Sequence, residues 1–430
     1  MASRGLWPAP GESPSTEDLS RCVHCGLCLN SCPTYLVTGL EVESPRGRIH
    51  FAKLIDEGRS ELTPAIARHW DLCLQCRACE AVCPSGVAYG RIQEHARAQL
   101  SRAPGGRVQR RLGRLMLRNV VARRRVLAAA MAPARWWANA PLRGTVRRTG
   151  VLRLMGRLGA GERQLPARMG RPFRPGESLA QPAQARHRAL LFSGCVMGEL
   201  FGDVHRATGR VLARAGVAVE APAEQGCCGA LHAHDGDLEF ARKLARRNIT
   251  AFDESDRPIV VNSAGCGAAM KEYGDLLSGD AKWAARARAF ATRVKDPSEY
   301  LAEVGSGRGG TLTARIAYQD ACHLAHAQGI REQPRDLLRG IAGCEMVETA
   351  GADVCCGAAG TYSLVQPEMS AQLRSRKAAQ FREAEPDIVV TANPGCQMQY
   401  TAAVAEAGIK ARVMHLMEVL DEAQAAEEQG

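Results

Sequence analysis

Two cysteine runs constrain this chain more than any other feature. "CVHCGLCLNSCP" runs from Cys22 to Pro33, and "CLQCRACEAVCP" runs from Cys73 to Pro84. Each fits C-x2-C-x2-C-x3-C-P, a spacing that wraps three thiolates around one cubane [4Fe-4S] cluster and sends the fourth cysteine to a second. The expected ligand sets are therefore Cys22, Cys25, Cys28 with Cys83, and Cys73, Cys76, Cys79 with Cys32. Structural zinc also accepts four thiolates, but it needs neither the third close cysteine nor the trailing proline twice over. Pro33 and Pro84 redirect the chain after the fourth ligand, and the amide of Gly26 is placed to donate to cluster sulfur.

The chain has 430 residues and 17 cysteines. The opening "MASRGLWPAPGESPS" lacks the apolar stretch an export signal needs, so a reducing compartment is expected, where clustered cysteines mean metal or redox chemistry rather than disulfides. No apolar run is long enough to span a bilayer.

The carboxy-terminal half reads as alternating strands and helices, and its order repeats. "RALLFSG", "VAVEAPA" and "PIVVNSAGC" return as "ARIAYQDAC", "CEMVETAGADVCCG" and "PDIVVTANPGC". Helices are expected over 204–215, 237–253, 331–340 and 366–384. Each repeat offers one cysteine after its first strand, a vicinal pair before glycine, and one after a later strand. The sets are Cys195, Cys227, Cys228, Cys266 and Cys322, Cys355, Cys356, Cys396. The ends of strands are where open α/β folds place their chemistry, and four thiolates make a full ligand shell. Metal or iron-sulfur binding, buried structural thiols and disulfide exchange all fit such a set; the vicinal pairs beside Gly229 and Gly357 favour the first. Cys344 has no counterpart and reads as a core thiol.

The expected architecture is thus multidomain α+β, a helical dicluster ferredoxin-like domain followed by two duplicated α/β cysteine-rich lobes. Residues 1–15 read as a flexible leader, 16–97 as the two-cluster domain, 98–186 as an arginine-rich helical connector, 187–310 as the first lobe and 311–430 as the second. Residues 101–180 hold 19 Arg against Glu162 and Glu177 alone, a local charge of +17 in a chain whose net charge is +11. Contact with an anionic membrane or an acidic partner, a solvated linker, and nucleic-acid binding are the three readings of that segment. The last is disfavoured, because no nucleic-acid fold or aromatic stacking platform accompanies the charge. Leu112, Leu115, Met116, Val120, Leu127 and Trp136 supply broken apolar helical stripes within it.

The opening "RCVHCGLCLNSCPTY", "PRGRI" at 45–49, "DLCLQCRACEAVCPSGV", "NSAGCGAAMKEYG" and "TANPGCQMQY" together resemble the iron-sulfur subunit of glycolate oxidase, a respiratory glycolate dehydrogenase, over residues 16–425. The resemblance implies two [4Fe-4S] clusters and two cysteine-rich CCG domains, with an additional iron-sulfur cluster or zinc allowed in one or both. It implies FAD-binding partner subunits that oxidise glycolate, and in the same way D-lactate, while this chain carries electrons towards quinone or another acceptor. A cytoplasmic chain held peripherally at the inner face of the cell membrane is expected, the contact running through the arginine-rich residues 101–180. Heterodisulfide-reductase-like, lactate-utilisation and anaerobic glycerol-3-phosphate dehydrogenase complexes share parts of the pattern. A metal-loaded scaffold or sensor is the non-enzymatic alternative. The related heterodisulfide reductases carry a fifth cysteine per lobe where this chain has Ala269 and Gln399. No dinucleotide fingerprint is present, since "GSGRGG" at 305–310 lacks the strand and helix it would need.

Overall fold

Proline sets the helix starts of the amino-terminal third. Pro33, Pro45 and Pro64 each occupy the first turn of helices Pro33–Thr38, Pro45–Asp56 and Pro64–Asp71, where the missing N–H costs nothing. Ser44 and Thr63 cap the latter two through Gly47 N and Ile66 N. A computed structural model of the chain describes residues 5–101, 107–149, 151, 156–166, 169–307 and 309–429. The helix Tyr89–Leu100 completes this region, whose apolar core gathers Trp7, Leu19, Ile49, Ile55, Trp70, Tyr89 and Ile92 with Cys73 and Cys79.

The leader departs from expectation. Trp7 is only 4% exposed, stacks on Trp70 at 5.9 Å and donates its indole N–H to Asp56 Oδ1 at 3.1 Å. The Ala9 backbone is held by Gln99 on both its N–H and its carbonyl, at 2.7 and 3.1 Å. A large aromatic side chain with a satisfied N–H fixes a segment that its Pro, Ser and Gly content alone would leave loose. Residues 1–4 lie outside the described residues.

Strands β1 (His187–Leu191), β2 (Val217–Glu220), β3 (Ile259–Val260) and β4 (Val294–Lys295) form a parallel sheet in the order β2-β1-β3-β4. Strands β5 (Thr311–Tyr318), β6 (Ala342–Met346), β7 (Ile388–Thr391) and β8 (Arg412–His415) repeat it as β6-β5-β7-β8. Helices observed at Gly202–Arg214, Leu238–Ala251, Glu332–Arg339 and Pro367–Ala384 stand where the pattern places them. The edge strands β4 and β8 carry no comparable sequence signal, because Lys295 in the one and Arg412 and His415 in the other break the apolar run.

The two lobes share one apolar core. Leu191, Val204, Val211 and Val217 of the first pack in the same cluster as Ile316, Val390, Leu416 and Leu420 of the second. The last helix, Leu416–Gln429, is tied to the first lobe by Arg210 and Arg214 on Asp421 and by Arg214 on Glu428. Cys344 lies in β6, partly buried against this core.

The connector runs through helices Arg107–Met116 and Arg124–Ala138. Parts of it, 102–106, 150, 152–155 and 167–168, lie outside the described residues. Its arginines turn inward: Arg110 pairs with Asp71, Arg114 with Asp235, Arg118 with Asp237, Arg135 with Glu199, and Arg143 and Arg147 with Glu162. Part of the concentrated charge is therefore spent on acidic residues of the rest of the chain, Asp71, Asp235, Asp237 and Glu199. The apolar stripe points the other way, with Val108, Leu112, Leu115, Met116 and Trp136 exposed and Leu127 buried.

Candidate functional site

The two amino-terminal cysteine loops share one unusual backbone. His24 and Gln75, each just before the second cysteine of its run, have φ of 55° and 54°, and Gly26 and Arg77, each just after it, have 87° and 65°. Left-handed residues cost a non-glycine side chain on the order of 1 kcal/mol or more. Their recurrence at equivalent positions marks a loop shaped to aim thiols inward.

Those thiols line two adjoining cavities. One is walled by Cys22, Cys25, Cys28 and Cys83 with Cys79, Pro45, Ile49 and Tyr89. The other is walled by Cys32, Cys73, Cys76 and Cys79 with Pro45, Arg48 and Tyr89. Cys79, Pro45 and Tyr89 thus form a shared wall. All 17 cysteines are free thiols, and Cys25 is the exposed one among them. Burial pushes the Cys28 thiol up to about 11 and carries Cys76 and Cys79 well above the usual thiol range, so seating a cluster there must displace protons.

Polar groups are aimed at the same thiols. Tyr89 OH donates to Cys73 Sγ at 3.6 Å, Gln75 N–H to the same sulfur at 3.4 Å, and Thr34 Oγ1 lies 3.2 Å from Cys32 Sγ. Arg46 borders the first cavity and donates to His24 O at 2.9 Å; Arg48 borders the second. Both come from the "PRGRI" segment, where the sequence reading found a likeness but no role. Their positive charge stands beside the two four-thiol sets.

In each lobe the cysteines leave the carboxyl ends of adjacent strands. Cys195 follows β1, the pair Cys227 and Cys228 follows β2, and Cys266 begins the helix Ala264–Lys271 after β3. Cys195 Sγ lies 3.5 Å from Cys227 Sγ, and Cys228 Sγ 3.3 Å from Cys266 Sγ. Gly229 and Gly357, at φ of 90° and 88°, take the left-handed turn that lets both thiols of a vicinal pair face one site. In the second lobe Cys322, Cys355, Cys356 and Cys396 likewise interact in a row. Among the described residues no three His, Cys, Asp or Glu side chains close on one point at single-ion distance.

At the fifth-cysteine positions, Ala269 packs into the first lobe's core, and Gln399 donates to Cys356 O at 3.0 Å. His323 Nδ1 lies 3.6 Å from Cys322 Sγ. His234, which sequence leaves without a partner, meets Glu94 of the amino-terminal region at 2.9 Å; no local pattern could reveal a contact so distant along the chain. Arg308 of the glycine-rich segment lies outside the described residues.

Comparison with known proteins agrees with this arrangement. A 4Fe-4S dicluster domain matches residues 18–87, and a cysteine-rich domain matches residues 189–271 and 316–401. The probable glycolate oxidase iron-sulfur subunit of Bacillus subtilis (strain 168) is 36% identical over 94% of each chain. The glycolate oxidase iron-sulfur subunit of Escherichia coli (strain K12) is 34% identical, again over 94% of each chain.

The chain belongs to the glycolate oxidase iron-sulfur subunit family. Lactate utilization protein A of Geobacillus kaustophilus (strain HTA426) is 32% identical over 98% of its length and 54% of this chain. As a glycolate oxidase iron-sulfur subunit family member with a 4Fe-4S dicluster domain, the chain is an iron-sulfur, electron-transfer component of an oxidoreductase complex. The four-thiol cavities suit iron-sulfur clusters in their donor set and their burial. Among the described residues no helix is long and apolar enough to cross a membrane.

Proposed function

We propose that this chain receives electrons from an FAD-binding partner that oxidises glycolate and passes them towards a quinone. The adjoining four-thiol cavities, one of them opening at Cys25, carry the reading. In it, Cys22, Cys25, Cys28 and Cys83 hold one [4Fe-4S] cluster, and Cys32, Cys73, Cys76 and Cys79 hold the second. Bound clusters supply one-electron redox chemistry at potentials set by charge, hydrogen bonds and exposure. Tyr89 and the Gln75 amide donate towards Cys73 and Thr34 Oγ1 lies against Cys32, while Arg46 and Arg48 offset the negative charge of the thiolates.

The partner docks at the Cys25 loop, where Val23 and Leu27 stand 69% and 58% exposed beside the exposed thiol. Oxidation of a 2-hydroxy acid to the 2-oxo acid on that partner releases two electrons and two protons. The electrons cross this chain one at a time, and a quinone takes up two electrons and two protons. The two lobe sets, Cys195, Cys227, Cys228, Cys266 and Cys322, Cys355, Cys356, Cys396, hold further iron-sulfur groups, their four-thiolate donor set being one that such clusters share with zinc. The exposed Leu112, Leu115, Met116 and Trp136, with the exposed Arg111, Arg123 and Arg125, favour a peripheral seat on the cytoplasmic face of the membrane.

Anaerobic EPR of the native complex tests the reading. Glycolate should reduce two interacting clusters in the dicluster domain. Reduction by D-lactate as well would widen the substrate class, as the lactate utilization relatives suggest. Reduction by glycerol 3-phosphate alone, or zinc in place of iron in the dicluster domain, would sink it.

A further inference from the structure

The duplication lets the two lobes be compared position by position, and one buried residue breaks their symmetry. The helices Leu238–Ala251 and Pro367–Ala384 align with Glu239 on Glu368, Leu244 on Leu373, Arg247 on Arg376 and Phe252 on Phe381. In that register Asn248 falls on Lys377. Asn248 is a neutral strap. Its amide donates to Cys227 O at 2.9 Å and accepts from Gly226 N at 2.9 Å, holding the loop that carries the vicinal pair.

Lys377 takes the same place with a full positive charge. Only 2% exposed, its ammonium donates to Gln319 Oε1 at 2.9 Å, Gly351 O at 2.7 Å and Ala352 O at 3.3 Å. Gln319 precedes Cys322 by three residues, and Gly351 and Ala352 lead into Cys355 and Cys356. Among the described residues no carboxylate accepts a hydrogen bond or ion pair from this ammonium. Burial pushes it down, and the nearby Cys356 and Cys355 thiols, with Asp353 close by but making no direct contact, pull it back up. A charge so enclosed needs a counter-charge, and a thiolate-ligated group in the second lobe supplies one.

We infer that Lys377 tunes the second lobe, making the iron-sulfur group held by Cys322, Cys355, Cys356 and Cys396 accept an electron more readily than its first-lobe equivalent. The inference rests on the reading that the lobes hold redox-active iron-sulfur groups. Adding an electron adds negative charge, and a buried cation attracts that charge more strongly across a low-dielectric site than it would across water. The placement gives this consequence for the route. Cys322 and Cys355 pack in one apolar cluster with Cys76, Leu74 and Tyr362, so the more electron-attracting lobe is the one whose thiols pack with a cysteine of the second dicluster cavity.

The test is an anaerobic EPR-monitored redox titration of the iron-loaded, full-length protein, the second-lobe signal being assigned as the one that Cys396→Ser removes. Lys377→Gln should lower the midpoint potential of that signal and leave the first-lobe and dicluster signals in place, while Lys377→Arg should restore it. Lys377→Met, which keeps the packed stem, repeats the measurement should the glutamine variant lose iron. An unmoved midpoint at full iron content would overturn the inference, as would an equal shift with Lys377→Arg. If Cys396→Ser changes neither iron content nor spectrum, the cluster reading of that lobe fails first, and the inference falls with it.

Discussion

Arg48 illustrates how much of the site depends on side chains that bind nothing themselves. It is 1% exposed and donates to Glu43 Oε2 at 3.0 Å, to His69 O at 2.7 Å and to Thr34 Oγ1 at 3.2 Å. Thr34 in turn meets Cys32 Sγ, so the guanidinium positions one wall of the second cavity. Removing one member of a buried ion pair strands the other, at a cost of about 3–5 kcal/mol. Arg48→Met should lower thermal stability by an amount of that order, although His69 still contacts Glu43 at 2.6 Å. It should also lower the midpoint potential of one dicluster signal in an EPR titration. Nothing in the "PRGRI" string announces this role, because the partners lie on three separate segments.

At the scale of elements, local chemistry and tertiary packing divide the credit unevenly. Helix starts at Pro33, Pro45 and Pro64 and the strand before each lobe cysteine follow from rules that act within a few residues. The leader does not. Trp7 belongs to a short segment of turns, and only Trp70 and Asp56 give it a fixed place. Trp7→Ala should cost about 3–5 kcal/mol, measured by denaturant unfolding of the loaded protein, and should expose residues 5–15 to proteolysis; an unchanged unfolding midpoint would contradict the packing argument. The connector helix Arg107–Met116 inverts the usual logic of an amphipathic helix. Its apolar residues face out because Asp71 and Asp235 offer Arg110 and Arg114 partners within the fold.

For the whole molecule that inversion separates two uses of one charge cluster. Arg114 and Arg118 bind the connector to the first lobe, and burial of Asp237 is overcome by Arg118, which holds that carboxyl well below its usual range. Arg118→Met should therefore loosen the connector by about 2 kcal/mol, reduced by the guanidinium's partial exposure, seen as faster proteolysis between residues 107 and 149. Replacing Arg111, Arg123 and Arg125 by Gln should instead leave stability unchanged and weaken co-sedimentation with anionic vesicles, most visibly at low salt; equal binding by the variant would remove the membrane proposal. The sequence by itself determined the chemistry: four cysteine sets, their spacing, the duplication and the surplus of arginine, all encoded in local pattern. Only the tertiary structure decided that the second lobe's thiols adjoin Cys76, that most paired arginines face inward, and that Lys377 stands where the first lobe has Asn248. Those facts depend on contacts between residues far apart in the chain, and periodicity and spacing carry no record of such contacts.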